Sequence, residues 1–476
     1  MLTLADALEA LTNFRPIATT VITEAVIDSR QVIPGSLFVA IPGEKVDGHD
    51  FIAEAFRRGA SFALIQRDTV ADNSFRTLDL RAVTSIEALP RESLVPPLCL
   101  RVENTVAALQ QIARYWRRKL DLRVIGITGS VGKSTTKELV AEVLSTRYRT
   151  LKSPGNLNNE IGLPLTMLRL SPGYQYAVLE MGFYVPGEIA FLCDIALPQV
   201  GVVTNVGTVH AERAGSQEAI ARGKAELVQA LPQSPDGVAV LNFDDPWVRQ
   251  MEEKTRARIF FYGLSREANL WADDVTGLGL EGIRFRMHYL GETLHARVPL
   301  IGRHSVHTAL RAAAVGLVEG LNWQEILEGL NQGHTQLRLA AVRSQTGALL
   351  LDDTYNASPE SMLAALTLLD ELEGRKVAVL GDMLELGPYE RGGHEMVGLR
   401  AAQVANLLLT LGQRAHMIAE AARRAGMKKP TVIEFDEFEP LMEWLKANLT
   451  KDDVVLIKGS HGLRMDRITS VLEVHS

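Results

Sequence analysis

Cysteine is almost absent from this chain: only Cys99 and Cys193 occur in 476 residues, far apart and in apolar surroundings. Two such residues cannot build a disulfide framework, and they read as buried core thiols of a reducing compartment. Long apolar runs are lacking too. The longest, residues 200–206, is strand-like and interrupted by Gly201 and Asn205, so no bilayer-crossing helix is expected. There is no excess of basic charge. With 57 acidic against 50 basic residues, broad nonspecific nucleic-acid binding is disfavoured. The first ten residues carry no basic segment followed by an apolar one, so no secretory leader is expected and the cytoplasm is the expected location. Low-complexity linkers and short internal repeats are also missing. What remains is an ordinary globular composition in a chain too long for one compact core, which predicts two to four domains.

Three regions separate by pattern. Residues 1–103 hold short strand-like runs at 26–28, 37–41, 62–66 and 98–102, and a helical segment at 49–58 that stops at Gly59. Residues 104–333 open with a helix over 105–119, for which Asn104 is the N-cap. Strands at 123–128, 176–181, 200–206 and 238–242 then alternate with helices at 133–146 and 216–230, the pattern of a parallel sheet with helices on its faces. Residues 256–298 change to short alternating runs that predict antiparallel strands, followed by an alanine-rich helix over 304–320. Residues 334–476 alternate again, with strands at 348–352, 376–380, 406–411, 431–435 and 453–457. Ser358 and Pro359 form a helix entry, an N-cap followed by proline at the first helical position.

The chemistry centres on Thr128-Gly-Ser-Val-Gly-Lys-Ser-Thr135. A buried-type strand leads in and an amphipathic helix leads out, the context a phosphate-cradling loop requires. Glycines let the backbone approach and turn its N–H groups to the phosphates, and the helix N-terminus adds positive potential. Lys133 suits the β- and γ-phosphates, and the Ser134 hydroxyl is a hard oxygen for magnesium. The commonest pattern places four residues between glycine and Gly-Lys. Here Gly129 and Gly132 enclose only two, so the loop is a shorter variant. Thr128, Gly129, Ser130, Val131, Gly132, Lys133, Ser134 and Thr135 are the candidate nucleotide cradle.

This short form, Thr-Gly-x-x-Gly-Lys-Ser/Thr, resembles that of the Mur ligase family, and the chain resembles that family over nearly its whole length. The resemblance implies an α/β protein of three domains: a small N-terminal domain for a UDP-linked substrate, a central ATPase domain built on a mostly parallel sheet, and a C-terminal Rossmann-like domain. It implies ATP-driven joining of a carboxylate to an amine. By the same resemblance Glu180, in Val178-Leu-Glu-Met-Gly, and His210, in Asn205-Val-Gly-Thr-Val-His, are metal-site residues. Lys224, in Ile220-Ala-Arg-Gly-Lys, matches a lysine that several members carry as a carbamate. With Ser134 these form the implied metal set, for magnesium, with two ions expected. Lys133, Glu180, His210 and Lys224 are the candidate catalytic residues, with His210 alternatively orienting substrate because histidine is an unusual magnesium partner.

The same resemblance narrows the substrate. The segment containing Ser29, Arg30, Gly43, Asp47 and His49 is similar to that of two members, the ligase adding the third peptide residue and the one adding D-alanyl-D-alanine. These five residues would lie near the UDP-sugar end. Asn156 and Asn159 fall in a loop after the first central helix that is similar to the family's. Leu351-Asp-Asp-Thr-Tyr-Asn-Ala-Ser-Pro and Leu380-Gly-Asp-Met-Leu-Glu-Leu-Gly resemble the D-alanyl-D-alanine type, and the Asp-Asn-Pro-Arg motif of third-residue ligases is absent. Arg338 and Asp353 would meet the nucleotide, with Tyr355 and Asn356 nearby. Lys458 and Ser460 would face the dipeptide or an interdomain cleft. Ser305 and Thr308 occupy positions often held by asparagine near adenine, and His461 stands where arginine is common. The implied partners are UDP-N-acetylmuramoyl-tripeptide and D-alanyl-D-alanine, without nucleic acid or membrane insertion, and the chain is expected to act as a monomer. Another amide ligase of the family and a nucleotide-controlled binding protein are the rival readings.

Overall fold

The computed structural model describes residues 1–43, 46–67, 75–89, 91–332 and 340–473. The chain forms two compact units. One comprises Met1–Gly126, Tyr148–Gly182 and Glu188–Val200; the other comprises Ile127–Arg147, Phe183–Gly187 and Gly201–Ser476.

In the first unit, five parallel strands run in the spatial order Ala25–Val26, Leu37–Val39, Phe62–Ile65, Leu98–Arg101 and Arg76–Asp79. Phe62, Ala63, Leu64 and Ile65 are all buried, the continuous apolar run of a strand covered on both faces. Phe38, Ile52, Ala55 and Cys99 share one of its cores. The helix Leu4–Thr12 is capped by Thr3 in a reciprocal box with Asp6. Asp6 also pairs with Arg15 at 2.8 Å and with Lys119 at 3.1 Å, fastening this helix to Thr105–Lys119. The latter begins where expected, with Asn104 Oδ1 accepting the Ala107 N–H at 2.9 Å. Strands Thr150–Lys152 and Tyr176–Glu180 pair in parallel.

In the second unit, Val238–Asn242, Arg258–Gly263 and Leu270–Gly277 are mutually parallel. Antiparallel pairing begins only with Ile283–Tyr289 and continues to Glu292–Val298. The antiparallel reading of residues 256–298 is thereby corrected for its first strand. The apolar run Phe260-Phe-Tyr extends the parallel sheet instead. The helix Val306–Val318 packs on Lys133–Ser145 and Trp323–Asn331. Close approach is required there, since a Cβ on Gly329 would sit 2.4 Å from Val143 Cα.

The C-terminal part of this unit carries a six-stranded sheet. Its order is Ala340–Arg343, Leu349–Asp352, Asp453–Lys458, Arg375–Gly381, Leu407–Leu411 and Val432–Phe435. The first strand is antiparallel and the rest are parallel. Two apolar cores cover its faces, one around Met362, Leu366 and Ile418, the other around Leu409, Leu441 and Ile468. Asp453–Lys458 lies between Leu349–Asp352 and Arg375–Gly381, so the carboxyl ends of these three strands surround the switch in strand order. Such crevices bind ligands in open α/β sheets. Both cysteines are free and buried, and burial pushes the Cys99 thiol up to about 11. Among the described residues no helix is long and apolar enough to cross a membrane.

Candidate active site

The loop after Arg123–Thr128 is held by a network that leaves its curvature little choice. Gly129 and Gly132 have φ of 145° and 81°, the region that favours glycine. A Cβ on Gly129 would fall 1.8 Å from Thr204 Oγ1. Thr204 Oγ1 donates to the Val131 carbonyl at 2.7 Å, while Asn205 accepts the Ser130 N–H through its carbonyl and the Val131 N–H through Oδ1. Ser130 Oγ accepts the Gly207 N–H at 2.8 Å. Gly132 is the N-cap of Lys133–Ser145 and supplies no side chain there, so the helix N-terminus stays open to an anion. Lys133 Nζ donates to the carbonyls of Gly129 at 2.9 Å and Ser130 at 3.2 Å. Ser134 and Thr135 are half-buried in the first helical turn.

Two further candidates gather around this loop. Lys224 lies on the helix Gln217–Gln229 and is 1% exposed. Its ammonium sits 4.9 Å from the centre of the Phe183 ring, and Gly223 makes room for that ring. Burial pushes its amine well below the ordinary lysine range, and the charge of Lys133 pushes the same way. His210 has φ of 68° and caps Ala211–Ala214. Its Nδ1 lies 2.6 Å from Glu385 Oε2, and the Tyr184 ring meets it edge-on. Burial lowers the His210 pKa, Glu385 opposes that, and Lys133 and Lys224 lower it further. Lys133, Lys224 and His210 therefore share one electrostatic neighbourhood.

In the other unit, Glu180 ends the strand Tyr176–Glu180 and is 2% exposed. Asn158 Nδ2 donates to its carboxylate at 2.9 Å. Asn156 is exposed, and Asn159 Oδ1 accepts the Gly162 N–H at 2.8 Å, capping the next helix. The N-terminal candidates divide sharply. His49 is buried, with Nδ1 2.6 Å from Asp47 and Nε2 accepting the Gln66 N–H at 3.0 Å, so both nitrogens serve the scaffold. Burial opposes ionisation of Asp47, but hydrogen bonds from His49 and Arg67 outweigh it and hold the carboxyl at about 2. The Gly43 N–H donates to the Val46 carbonyl at 3.1 Å. Ser29 is buried, whereas the Arg30 side chain is 81% exposed and forked onto Asp28.

In the C-terminal sheet the candidates meet at the switch-point crevice. Lys458, 2% exposed, donates to Asp353 Oδ2 at 2.6 Å and to the Asn356 carbonyl at 2.9 Å. Ser460 Oγ accepts the Leu384 N–H at 2.9 Å. Tyr355 and Asn356 are exposed at the rim. Ser305 donates to the Ile301 carbonyl at 2.7 Å, and Thr308 Oγ1 accepts from Arg311 at 2.7 Å. Arg338 lies outside the described residues.

Family models match in three stretches. The Mur ligase family, catalytic domain, covers residues 21–117; the Mur ligase middle domain covers 127–316; and the Mur ligase, glutamate ligase domain, covers 337–461. UDP-N-acetylmuramoyl-tripeptide--D-alanyl-D-alanine ligase of Bacillus subtilis is 35% identical over 460 residues, spanning 95% of this chain and 93% of that protein. The chain belongs to the Mur ligase family. Its Escherichia coli relative of the same name is 33% identical, spanning 94% and 92% of the two chains. The crystal structure of MurF from Acinetobacter baumannii superposes with a TM-score of 0.82 at 29% identity, over 98% of each chain. MurF from Thermotoga maritima in complex with ADP gives 0.77 at 29%, over 97% of each.

In this Mur ligase the sequence picks out the loop and its lysines but not their supports. The contacts of Asn158, Glu385, Asp382 and Arg311 emerge only from the structure. Asp382 is buried and accepts the Ala415 N–H at 2.7 Å, which shapes the crevice beside Ser460. Glu385 stands in the Leu380-Gly-Asp-Met-Leu-Glu-Leu-Gly segment, and that motif is the one sequence signal for it. The partners of Asn158, Glu385 and Asp382 lie too far along the chain for local pattern to reveal them, and so does Gly132, the loop residue beside Arg311.

Proposed function

We propose that this Mur ligase joins the terminal carboxylate of UDP-N-acetylmuramoyl-tripeptide to the amine of D-alanyl-D-alanine at the expense of ATP. The observation that carries the proposal is the match over more than nine-tenths of both chains to ligases named for that reaction, at 33–35% identity. The chemistry is supported by the fixed phosphate loop and by the Lys133 ammonium that rests on it.

The substrate carboxylate oxygen attacks the γ-phosphorus of ATP, the bond to the β-phosphate bridging oxygen breaks, and ADP leaves. The dipeptide amine then attacks the acyl phosphate carbonyl. The tetrahedral intermediate expels phosphate, and the amine's surplus proton passes to solvent. No protein nucleophile takes part, so catalysis is positioning and charge neutralisation. Lys133 exchanges its two loop carbonyls for phosphate oxygens, and the loop N–H groups hold the polyphosphate. Arg30, exposed on the first unit, is the candidate for the UDP pyrophosphate.

Among the described residues no three His, Cys, Asp or Glu side chains gather as a metal site, so magnesium would draw on other oxygen donors. Ser134 presents a hydroxyl in the first helical turn, and Lys224 is a buried amine for which no carboxylate among the described residues serves as partner. Carbamylation would make Lys224 a carboxylate-like ligand beside His210, and the resemblance adds Glu180 to a set for two ions. Magnesium, when bound, neutralises charge on the phosphates and the oxygens that gain it. We place the reaction in the cytoplasm, with a monomer as the working unit and three domains divided near residues 103 and 333.

Phosphate release with purified UDP-muramoyl-tripeptide tests the reading. Release should require D-alanyl-D-alanine, and equal release with single amino acids would sink it. Mass spectrometry of protein kept in bicarbonate should show an adduct of about 44 Da on Lys224, lost on acidification. An unmodified Lys224 in fully active enzyme would remove the carbamate.

A further inference from the structure

The helix Val306–Val318 carries a charge that the reaction above does not use. Arg311 is 4% exposed. One terminal nitrogen donates to Thr308 Oγ1 at 2.7 Å, and Nε has no hydrogen-bond partner. The guanidinium lies 6.0 Å from the centre of the Tyr262 ring, itself fully buried. No carboxylate among the described residues pairs with it; burial works against its charge, and Tyr262 opposes that effect. On its other side is the phosphate loop. A Cβ on Gly132 would stand 3.3 Å from one terminal nitrogen and 3.6 Å from the other. Tyr262 and the loop are also joined through Thr204. The Tyr262 hydroxyl is 3.3 Å from the Thr204 carbonyl, and Thr204 Oγ1 donates to the Val131 carbonyl.

A buried guanidinium without an anion is costly, and an apolar side chain of similar volume would be less so. Structure alone does not account for the charge, because the helix packs through its alanines and leucines. What the site lacks is a negative partner, and the open face of Gly132 is where a polyanion arrives.

We infer that Arg311 is a positioning residue for the nucleotide: held behind Gly132, its charge raises the potential of the phosphate loop, and its counter-charge is the polyphosphate of a bound nucleoside di- or triphosphate. This rests on residues 128–135 being the nucleotide cradle. Arg311 does not touch the reacting atoms. It acts through the backbone of Gly132 and through Thr308, so it governs affinity for nucleotide rather than the chemical step.

The test compares wild type, Arg311→Gln and Arg311→Lys as full chains. Glutamine keeps a hydrogen bond to Thr308 and discards the charge, whereas lysine keeps the charge and discards the planar fork. Calorimetry with Mg-ADP should show Arg311→Gln binding about 10–100-fold more weakly and Arg311→Lys within about fivefold of wild type. KM for ATP should rise with Arg311→Gln, while kcat at saturating ATP and KM for D-alanyl-D-alanine stay within about threefold. The melting temperature without nucleotide should be unchanged or higher in Arg311→Gln, because an unpaired charge has gone. Unchanged ADP affinity in Arg311→Gln overturns the inference, and so does a lowered melting temperature with normal affinity. Should Arg311→Gln fail to fold, Arg311→Lys decides, since a loss well beyond fivefold overturns it. Wild type that does not bind ADP overturns the cradle itself, a distinct outcome.

Discussion

Single side chains set the electrostatics of this protein, and the clearest case is Lys133. Together with Arg311 it concentrates positive charge around one glycine loop. Lys133→Ala should leave the fold intact and lower ligation by about 10³-fold or more. Phosphate release at saturating substrates measures this, and near-normal turnover would remove Lys133 from the mechanism. Asp6 gives a stability prediction. Burial opposes its ionisation, but Thr3, Arg15 and Lys119 together hold its carboxyl at about 2, below the ordinary 3.8. A folded value below the unfolded one means that its contribution is complete above about pH 4 and disappears as pH falls toward 2. Asp6→Asn should therefore be less stable by roughly 2 kcal/mol at neutral pH and converge with wild type near pH 2. Denaturant midpoints across pH 2–7 decide it, and parallel curves would refute the assignment.

At the scale of elements, what can be read from local pattern is what has a local cause. Asn104 before an amphipathic run locates the helix Thr105–Lys119, and Ser358-Pro359 locates the start of Pro359–Glu371. The strand Arg123–Thr128 is legible because a buried parallel strand is continuously apolar. Strands Arg76–Asp79, Thr150–Lys152 and Ala340–Arg343 are not, because they are short and largely outside the core. The direction of Arg258–Gly263 escapes the sequence for another reason: alternation reports which face is buried, not which way the neighbour runs. Of the site, the loop is legible in full, whereas Asn158, Glu385 and Arg311 are not. Gly129 carries the sharpest prediction at this scale. Gly129→Ala meets both a φ of 145° and the hydroxyl of Thr204. It should abolish nucleotide binding while leaving far-ultraviolet circular dichroism near wild type, and a Gly129→Ala protein that binds ADP normally would contradict the loop geometry.

Over the whole molecule, the resemblance divides the nucleotide's contacts between the central region and the C-terminal one, which makes closure on the nucleotide the expected motion. Small-angle scattering should change when ATP and UDP-muramoyl-tripeptide are added together, and superimposable profiles would count against closure. The posture of Lys133 bears on how each catalytic cycle ends. Its ammonium rests on the carbonyls of Gly129 and Ser130, so the cradle closes on its own lysine. When ADP departs, the side chain is not stranded but returns to two waiting oxygens. Those internal contacts compete with the departing phosphates and keep the resting loop in working shape. A tight grip in the transition state therefore need not make the spent nucleotide a persistent inhibitor.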